Sequence, residues 1–195
     1  RGGPGVLDQG VEFTPFTYVE GPCYIGKGAR LDNVRLTGGS VLGHKSRVGG
    51  EIENSLIGDC SNKHHEGFVG HSIIGRWVNL GALTTTSDLK NNYGEVRLQL
   101  PGGTMESTGQ IKFGSIIGDC VKTAIGTMLN TGTVLDAGSN VFGGVVPRYL
   151  PPLAWGVASH SYAPERFLDD CWKIMARRDE APPEEMAALV KLAGV

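Results

Sequence analysis

Apolar or small residues recur every six positions along two long stretches of the chain. The second stretch is the more regular, and its repeat positions are Ile117, Thr123, Leu129, Leu135 and Val141. Small or β-branched residues follow each of these by four positions: Val121, Thr127, Thr133, Ser139 and Val145. This hexapeptide pattern is typical of a parallel β-helix, whose coils are roughly triangles of three short strands. We therefore expect the first residue of each repeat to point inward and the small residue to pack at a corner.

The same pattern begins earlier in the chain, with slips of phase between groups. Aliphatic-Gly pairs mark it at Ile25, Leu42, Ile57, Ile74 and Leu80. The corner position four residues after the last three of these is filled by Ser61, Val78 and Thr84. Together the two stretches predict an all-β solenoid over residues 23–146, with the slips of phase falling at loops or turns of odd length.

Residues 85–112 interrupt the repeat with a segment rich in Gly, Pro and Asn. Within it, residues 95–100 alternate polar and apolar side chains, which predicts a short hairpin strand. Long irregular loops in compact domains are more often functional than not. We therefore expect an insertion that projects from the solenoid and contributes to a site.

The two ends of the chain do not carry the repeat. Residues 1–22 are broken by Pro and Gly and predict a lead-in segment with one irregular coil. Residues 147–195 predict a linker and C-terminal helices, which we expect to cap the open end of the solenoid. The first helix starts near Pro164 and has an apolar stripe of Phe167, Cys171, Ile174 and Met175. A second, shorter helix is predicted after Pro183.

Composition narrows the function classes. The net charge is −2 without a basic block, which argues against nucleic acid as a partner. No apolar run approaches the roughly 20 residues that cross a bilayer. The four cysteines are far apart and form no C-x-x-C pair, so a reduced, cytoplasmic setting is the expectation. Because the chain begins with Arg1, we also expect it to be a fragment or a processed product.

Two strings of residues carry a resemblance to a known family. Val78-Asn79-Leu80-Gly81-Ala82, followed by Thr84 and later by Asn92-Tyr93-Gly94, is similar to a V-N-I-G-A-G-T motif with an N-Y-D-G loop. Ser61 to His65 stand where that family has S-K-A-G-H. The chain thus resembles the left-handed β-helix acyltransferases. More narrowly, it resembles the C-terminal domain of bifunctional N-acetylglucosamine-1-phosphate uridyltransferase/glucosamine-1-phosphate acetyltransferases. Residues 61–72 and 88–93 are more similar still to a subgroup described as sugar nucleotidyltransferases.

The resemblance implies a left-handed coil and CoA-dependent acetyl transfer to an amino sugar or sugar phosphate. His65 matches the general base, a role suited to imidazole because its unperturbed pKa lies near 6.5. Ala82 matches a residue whose backbone meets the acyl donor, acetyl-CoA. The acceptor is expected to contact Asn79, Phe68, Lys90, Asn92 and Tyr93. His64 and His71 are expected to be accessory, and no tightly bound metal is expected.

The resemblance also implies a homotrimer with sites between subunits and an N-terminal nucleotidyltransferase domain that this chain lacks. The chain departs from the family at several positions. Glu53-Asn54 replaces paired lysines that grip the sugar phosphate, Phe68 replaces a tyrosine, and Leu83 replaces a glycine. These changes leave the acceptor open, and Lys90 or Arg97 is a candidate for the lost positive charge.

Two other functions remain open on the sequence. One is a non-catalytic trimerisation scaffold for a sugar nucleotidyltransferase. The other is zinc chemistry of the γ-carbonic anhydrase type, in which three histidines from two subunits bind the metal. His44, His65 and His71 are the candidates here, but the spacing between the last two misses the H-x-x-x-x-H pattern by one residue.

Overall fold

The computed structural model describes residues 3–158 and 160–181. In this part of the chain the fold is a parallel β-solenoid with one α-helix near its C-terminal end. This matches the left-handed β-helix with a helical arm that the sequence predicts. Successive strands stack in three columns, which we call the first, second and third faces. The first corner joins the first face to the second, the second corner joins the second to the third, and the third corner leads to the next coil.

The first face is a parallel sheet of eight strands. They are β1 (Gly5–Leu7), β4 (Cys23–Ile25), β6 (Ser40–Leu42), β8 (Leu56–Ile57), β11 (Ile73–Ile74), β16 (Ser115–Ile117), β19 (Thr133–Leu135) and β21 (Tyr149–Leu150). Residues 3–22 therefore contribute one strand to this face, because β1 pairs in parallel with β4.

The second face contains β2 (Glu12–Phe13), the first halves of β5 (Arg30–Thr37) and β7 (Arg47–Glu53), then β9 (Asn62–Lys63), β12 (Asn79–Leu80), β17 (Lys122–Thr123) and β20 (Asn140–Val141). The third face contains β3 (Tyr18–Val19), the second halves of β5 and β7, then β10 (Phe68–Gly70), β13 (Thr85–Thr86) and β18 (Met128–Leu129). Strands β5 and β7 each bend around the second corner, where their pairing register shifts.

The core is a set of aliphatic columns inside the three faces. On the first face the pairing register stacks Ile25, Leu42, Ile57, Ile74, Ile117, Leu135 and Leu150, all at most 3% exposed. Leu129 of the third face and Val141 of the second are buried as well, so the predicted inward phase of the repeat is confirmed. The corner residues Val121, Thr127, Thr133 and Ser139 are also buried, as predicted.

The repeat ends before the last corner residue that its spacing predicts. Val145 was expected at a buried corner, but it is 87% exposed. The reason is the Gly143-Gly144 pair, whose φ angles of 84° and 136° turn the chain away from the corner path. No third-face strand therefore follows β20 within the residues that the structure describes.

The insertion leaves the solenoid at the third corner after β13 and returns to it before β16. Its centre is an antiparallel hairpin of β14 (Arg97–Gln99) and β15 (Met105–Ser107), joined by a single turn of 3-10 helix at Pro101–Gly103. Val96, the residue before β14, is fully buried. A Cβ atom at Gly132 would lie 2.6 Å from the carbonyl oxygen of Arg97, so the hairpin lies directly on the solenoid there.

Helix α1 (Pro164–Ala176) and the residues after it run back along the first corner. Phe167, Cys171 and Met175 form the buried stripe of the helix, as predicted. Ile174 was expected in the same stripe, but it is 38% exposed because it faces a groove beside the second face. The predicted second helix after Pro183 lies outside the described residues. Among the described residues, no helix is long and apolar enough to cross a membrane.

The first corner is built to receive this helix. Successive coils place a residue of positive φ there, and besides glycines these are Lys45, Cys60, Trp77, Cys120 and Leu153, of which Cys60, Cys120 and Leu153 are buried. Left-handed backbone is costly for such residues, but burial under the helix offsets this cost. Gly138 takes the same position where Phe167 crosses the corner, since a Cβ there would lie 2.6 Å from Leu153 and 3.0 Å from Phe167.

Candidate active site on the coil corners

The second corner brings together two of the predicted site residues. His65 lies at this corner in one coil, and Ala82 lies at it in the next. The two coils are joined here by a hydrogen bond, because the backbone N–H of Leu83 donates to the carbonyl of Glu66 at 2.9 Å. The Ala82 carbonyl in turn accepts from the Gly126 N–H of the following coil at 2.8 Å. An imidazole and the backbone assigned to the acyl donor therefore share one edge of the solenoid.

The two adjacent histidines at this corner have different surroundings. The His65 side chain is exposed to solvent and meets the His64 ring edge-on, with ring centroids 4.9 Å apart. The His64 ring is half-buried, and its Nδ1 atom lies 3.1 Å from Oδ2 of Asp32, at ion-pair distance though without hydrogen-bond geometry. His64 therefore faces the protein, and His65 is the ring that a solvent-borne substrate can reach.

A buried lysine supports the same corner from inside. Lys63 occupies the inward position of β9, where neighbouring second-face strands carry Val48 and Leu80. Its Nζ donates to the carbonyl oxygen of Gly49 at 2.9 Å and to that of His65. Gly50 provides the space, because a Cβ there would lie 2.9 Å from the lysine Nζ. Burial lowers the pKa of the Lys63 ammonium to about 8.

The third corner holds a second imidazole, His71. Its Nδ1 atom lies 2.7 Å from Oδ2 of Asp88, and the two side chains are only 16% and 14% exposed. Glu53 lies at the same corner one coil earlier, where its carbonyl accepts from the His71 N–H at 2.9 Å. The Glu53 carboxylate lies 3.6 Å from Nζ of Lys112 in the returning end of the insertion. This corner therefore fixes both ends of the insertion.

The predicted acceptor residues of one chain are spread over three places. Lys90 and Asn92 line a hollow of about 490 Å³ at the base of the insertion, and Tyr93 beside them is 68% exposed. Phe68 lines a different hollow, on the third face, with Arg35 and Glu66. Asn79 points outward from the second face, where its Oδ1 accepts from Nδ2 of Asn62 at 2.8 Å. A single chain does not gather these side chains around His65.

The three histidines considered for zinc lie on three different corners. His44 is at the first corner, where its N–H donates to Oδ1 of Asp59, while His65 and His71 are at the second and third. Across residues 3–158 and 160–181, no group of three or more His, Cys, Asp or Glu side chains is placed to hold a metal ion. A zinc site of the kind considered is therefore not assembled within one chain.

Sequence reasoning missed several residues around these sites. Lys63 stands six positions after Ile57, so the repeat itself marks it as a charged residue at an inward position. Asp88 was not predicted as a partner of His71, although it follows His71 at the same spacing that separates Ala82 from His65. A cluster of Arg47, Lys122, Arg177 and Arg178 on the second face comes from distant segments and has no local signal.

Comparison with known proteins places these features in context. No family model matches the chain. The bifunctional sugar-1-phosphate nucleotidylyltransferase/acetyltransferase of Sulfurisphaera tokodaii is 33% identical over 109 residues, covering 55% of this chain and 27% of that protein. The bifunctional protein GlmU of Methanococcus vannielii is 39% identical over 90 residues, covering 46% and 21%. GlmU of Anaplasma marginale is 30% identical over 161 residues, covering 80% and 33%.

The aligned part of the chain therefore spans between a fifth and a third of the length of these curated relatives. The stacked parallel strands, the aliphatic columns and the sequence matches point the same way. The chain folds as a β-solenoid of hexapeptide repeats, and its curated homologues include bifunctional sugar-1-phosphate nucleotidylyltransferase/acetyltransferase and GlmU proteins.

Proposed function

We propose that the chain transfers an acyl group, acetyl in the simplest case, from CoA to the amino group of an amino sugar or sugar phosphate. The names of the curated relatives support a role in sugar-nucleotide biosynthesis. The observation that carries the proposal is the exposed His65 ring at the second corner, one coil from Ala82. In this proposal the base and the backbone that binds the acyl donor are adjacent on one edge.

The reaction needs one proton acceptor and no covalent enzyme intermediate. The amine nitrogen attacks the thioester carbonyl carbon, and His65 takes a proton from that nitrogen as the new C–N bond forms. Collapse of the tetrahedral adduct breaks the C–S bond and releases the thiolate of CoA, which is then protonated. Imidazole suits this step because it is largely neutral at physiological pH yet basic enough to accept the proton.

Lys63 is the residue that holds this corner in position. Its Nζ donates to the His65 carbonyl from inside the solenoid, and it also donates to Gly49 one coil earlier. A buried amine with two carbonyl acceptors fixes the backbone on which the His65 ring stands. We assign Lys63 a positioning role, because the donated hydrogen bonds place it behind the ring rather than in contact with substrate.

Acceptor binding in this proposal requires more than one chain. Asn79, Phe68, Lys90, Asn92 and Tyr93 lie in three places on one solenoid, so a homotrimer would complete the pocket with residues of neighbouring copies. An apolar strip on the outside of the first face supports such an association. Its exposed members stack in register along four successive strands: Tyr24, Val41, Leu56 and Ile73. Exposed apolar strips of this kind mark interaction surfaces.

The greater length of the relatives supports a further part of the proposal, and the cysteines support another. In the complete protein an N-terminal nucleotidyltransferase domain would precede this β-helix, so that one protein would both modify and activate a sugar phosphate. All four cysteines lie within the described residues and none forms a disulfide, which fits a reducing, cytoplasmic location.

One observation favours a second function, that of a non-catalytic trimerisation scaffold. Glu53 places a carboxylate where the acetyltransferases have a lysine for the sugar phosphate, and this carboxylate lies beside Lys112. A thiol-release assay with acetyl-CoA over a panel of amino sugars and their phosphates separates the two functions. Acyl transfer predicts release with at least one acceptor, and the scaffold predicts release with none.

A further inference from the structure

A groove lies along the second face, between its outward side chains and the segment that follows α1. Four of its residues form one column in the pairing register, each in a successive coil: Arg47, Asn62, Asn79 and Lys122. The opposite wall is made of Trp77, Ile174, Arg177 and Arg178. The groove has a volume of about 390 Å³.

Among the described residues, the charged side chains that line this groove are all positive. Four of its eight lining residues are Lys or Arg, and none of the eight is Asp or Glu. Two described carboxylates of neighbouring segments are engaged with other cations, since Asp119 pairs with Arg76 and Glu180 pairs with Lys45. Like charges gathered in a partly enclosed space are unfavourable unless an anion binds between them.

Two of the cations are held in place by the protein itself. Nη1 of Arg178 donates to the Lys45 carbonyl at 2.9 Å, and its guanidinium lies 5.9 Å from the centre of the Trp77 ring. Burial, with the nearby charge of Arg47, lowers the pKa of Arg178. Nζ of Lys122 lies 3.4 Å from the Cys120 carbonyl and 5.8 Å from the centre of the Phe167 ring. These contacts preorganise the charges before any ligand arrives.

We propose that this groove binds the diphosphate group of a small phosphorylated metabolite. Guanidinium groups match phosphate oxygens through paired hydrogen bonds, and lysine adds a point charge. The paired amides of Asn62 and Asn79 offer polar contacts between the two sets of cations. The groove is on the second face, whereas His65 is at the second corner. Binding here is therefore separate from the proton transfer proposed for His65, and Asn79 is the residue that the two sites share.

Isothermal titration calorimetry with inorganic pyrophosphate tests the proposal directly, without an acyl donor. The double variant Arg47→Gln/Lys122→Gln removes two charges from the column, and its melting temperature shows whether loss of the Lys122 contact with Phe167 disturbs α1. We expect it to weaken pyrophosphate binding by about tenfold or more, as loss of charge-assisted hydrogen bonds implies. Lys27→Gln removes one exposed charge outside the groove and should change the affinity by less than about twofold. Equal affinity in the double variant and the wild type would overturn the proposal, as would no binding at all.

Titrations with further ligands identify the source of the diphosphate, and further variants control for misfolding. Uridine diphosphate, CoA and orthophosphate are titrated in parallel, and we expect the two diphosphates to bind more tightly than orthophosphate. Arg177→Gln, an exposed position past the helix, should weaken binding while leaving the melting temperature unchanged. His65→Ala should bind pyrophosphate as the wild type does, so loss of acyl transfer and loss of anion binding are distinguishable. Orthophosphate binding as tight as pyrophosphate would refute a diphosphate site.

Discussion

Nδ1 of His71 and Oδ2 of Asp88 lie 2.7 Å apart at the third corner of the solenoid. The two residues are in successive coils, and Asp88 is the second residue after strand β13. The Asp88 carbonyl also accepts from the N–H of Phe113 at 2.8 Å, at the far end of the insertion. This one residue therefore ties the start of the insertion both to the preceding coil and to its own return.

Removal of the Asp88 carboxylate should loosen the insertion more than the solenoid. Asp88→Ala leaves the largely buried His71 imidazole without its partner, which should cost about 1–3 kcal/mol of local stability. We expect faster amide hydrogen exchange over residues 87–114 and little change in the strands of the first face. Glu106→Ala, on the exposed side of the hairpin, is the matched control and should exchange like the wild type. Uniform exchange changes across the chain would contradict this assignment.

Core packing at the third face gives a prediction with a neighbouring control. Leu129 is 2% exposed and Met128 beside it is 75% exposed. Leu129→Ala should lower the free energy of unfolding by about 2–5 kcal/mol because it leaves a cavity in a close-packed column. Met128→Ala should change it by less than about 0.5 kcal/mol. Denaturant unfolding of the two variants measures both values, and similar losses would show that the repeat phase is wrong.

The buried Lys63 makes stability depend on pH in the alkaline range. Its folded pKa is about 8 against an ordinary value of 10.5, so between these values only the unfolded chain keeps the proton. The folded state therefore gains stability as the pH rises, by about 2 kcal/mol from about pH 7 to about pH 9.5. Tyr149 acts in the opposite sense at higher pH, because burial raises its pKa to about 12.

The Lys63 contribution is isolated by comparison with Lys63→Met. The free energy of unfolding of the wild type minus that of the variant should increase over the same pH range. Lys27→Met, at an exposed lysine, corrects for the loss of one charge. If this difference stays constant or falls with pH, burial does not lower the pKa of Lys63 in the folded state.

The apolar strip on the first face predicts how copies associate. Ile73 is 48% exposed and stacks in register on Leu56 of the preceding coil. Light scattering of the wild type should give about three times the chain mass of 20.7 kDa. Ile73→Glu should give the single-chain mass at micromolar concentration, because it buries a charge in the interface. Met128→Glu adds the same charge to the third face and should remain trimeric. A monomeric wild type would contradict the trimer.

Much of the fold follows from the sequence because one local rule repeats. The six-residue spacing places Ile117, Leu129 and Leu135 inside the solenoid, and the same rule fails at Val145 only where two glycines redirect the chain. The buried stripe of the helix was predicted correctly except at Ile174. This residue was expected to be buried but faces a groove formed by other segments. Local periodicity cannot report such an environment.

The site was less predictable because its parts are distant in the chain. His65 and Ala82 could be placed near one another, since consecutive coils of about equal length bring the same corner together. His71 and Asp88 have the same spacing along the chain as His65 and Ala82, whereas the column from Arg47 to Lys122 crosses the insertion and depends on the register between coils. That register is set by loop lengths and by the insertion, which the spacing of apolar residues does not encode.

If His65 is the general base, its loss must slow the release of thiol from acetyl-CoA. With an amino sugar that supports release by the wild type, His65→Ala should lower the rate by about 10²–10⁴-fold while the melting temperature stays nearly unchanged. His64→Ala, which alters the neighbouring ring that faces Asp32, should lower it far less. Equal rates for His65→Ala and the wild type would contradict the account, as would a wild type that releases no thiol with any amino sugar.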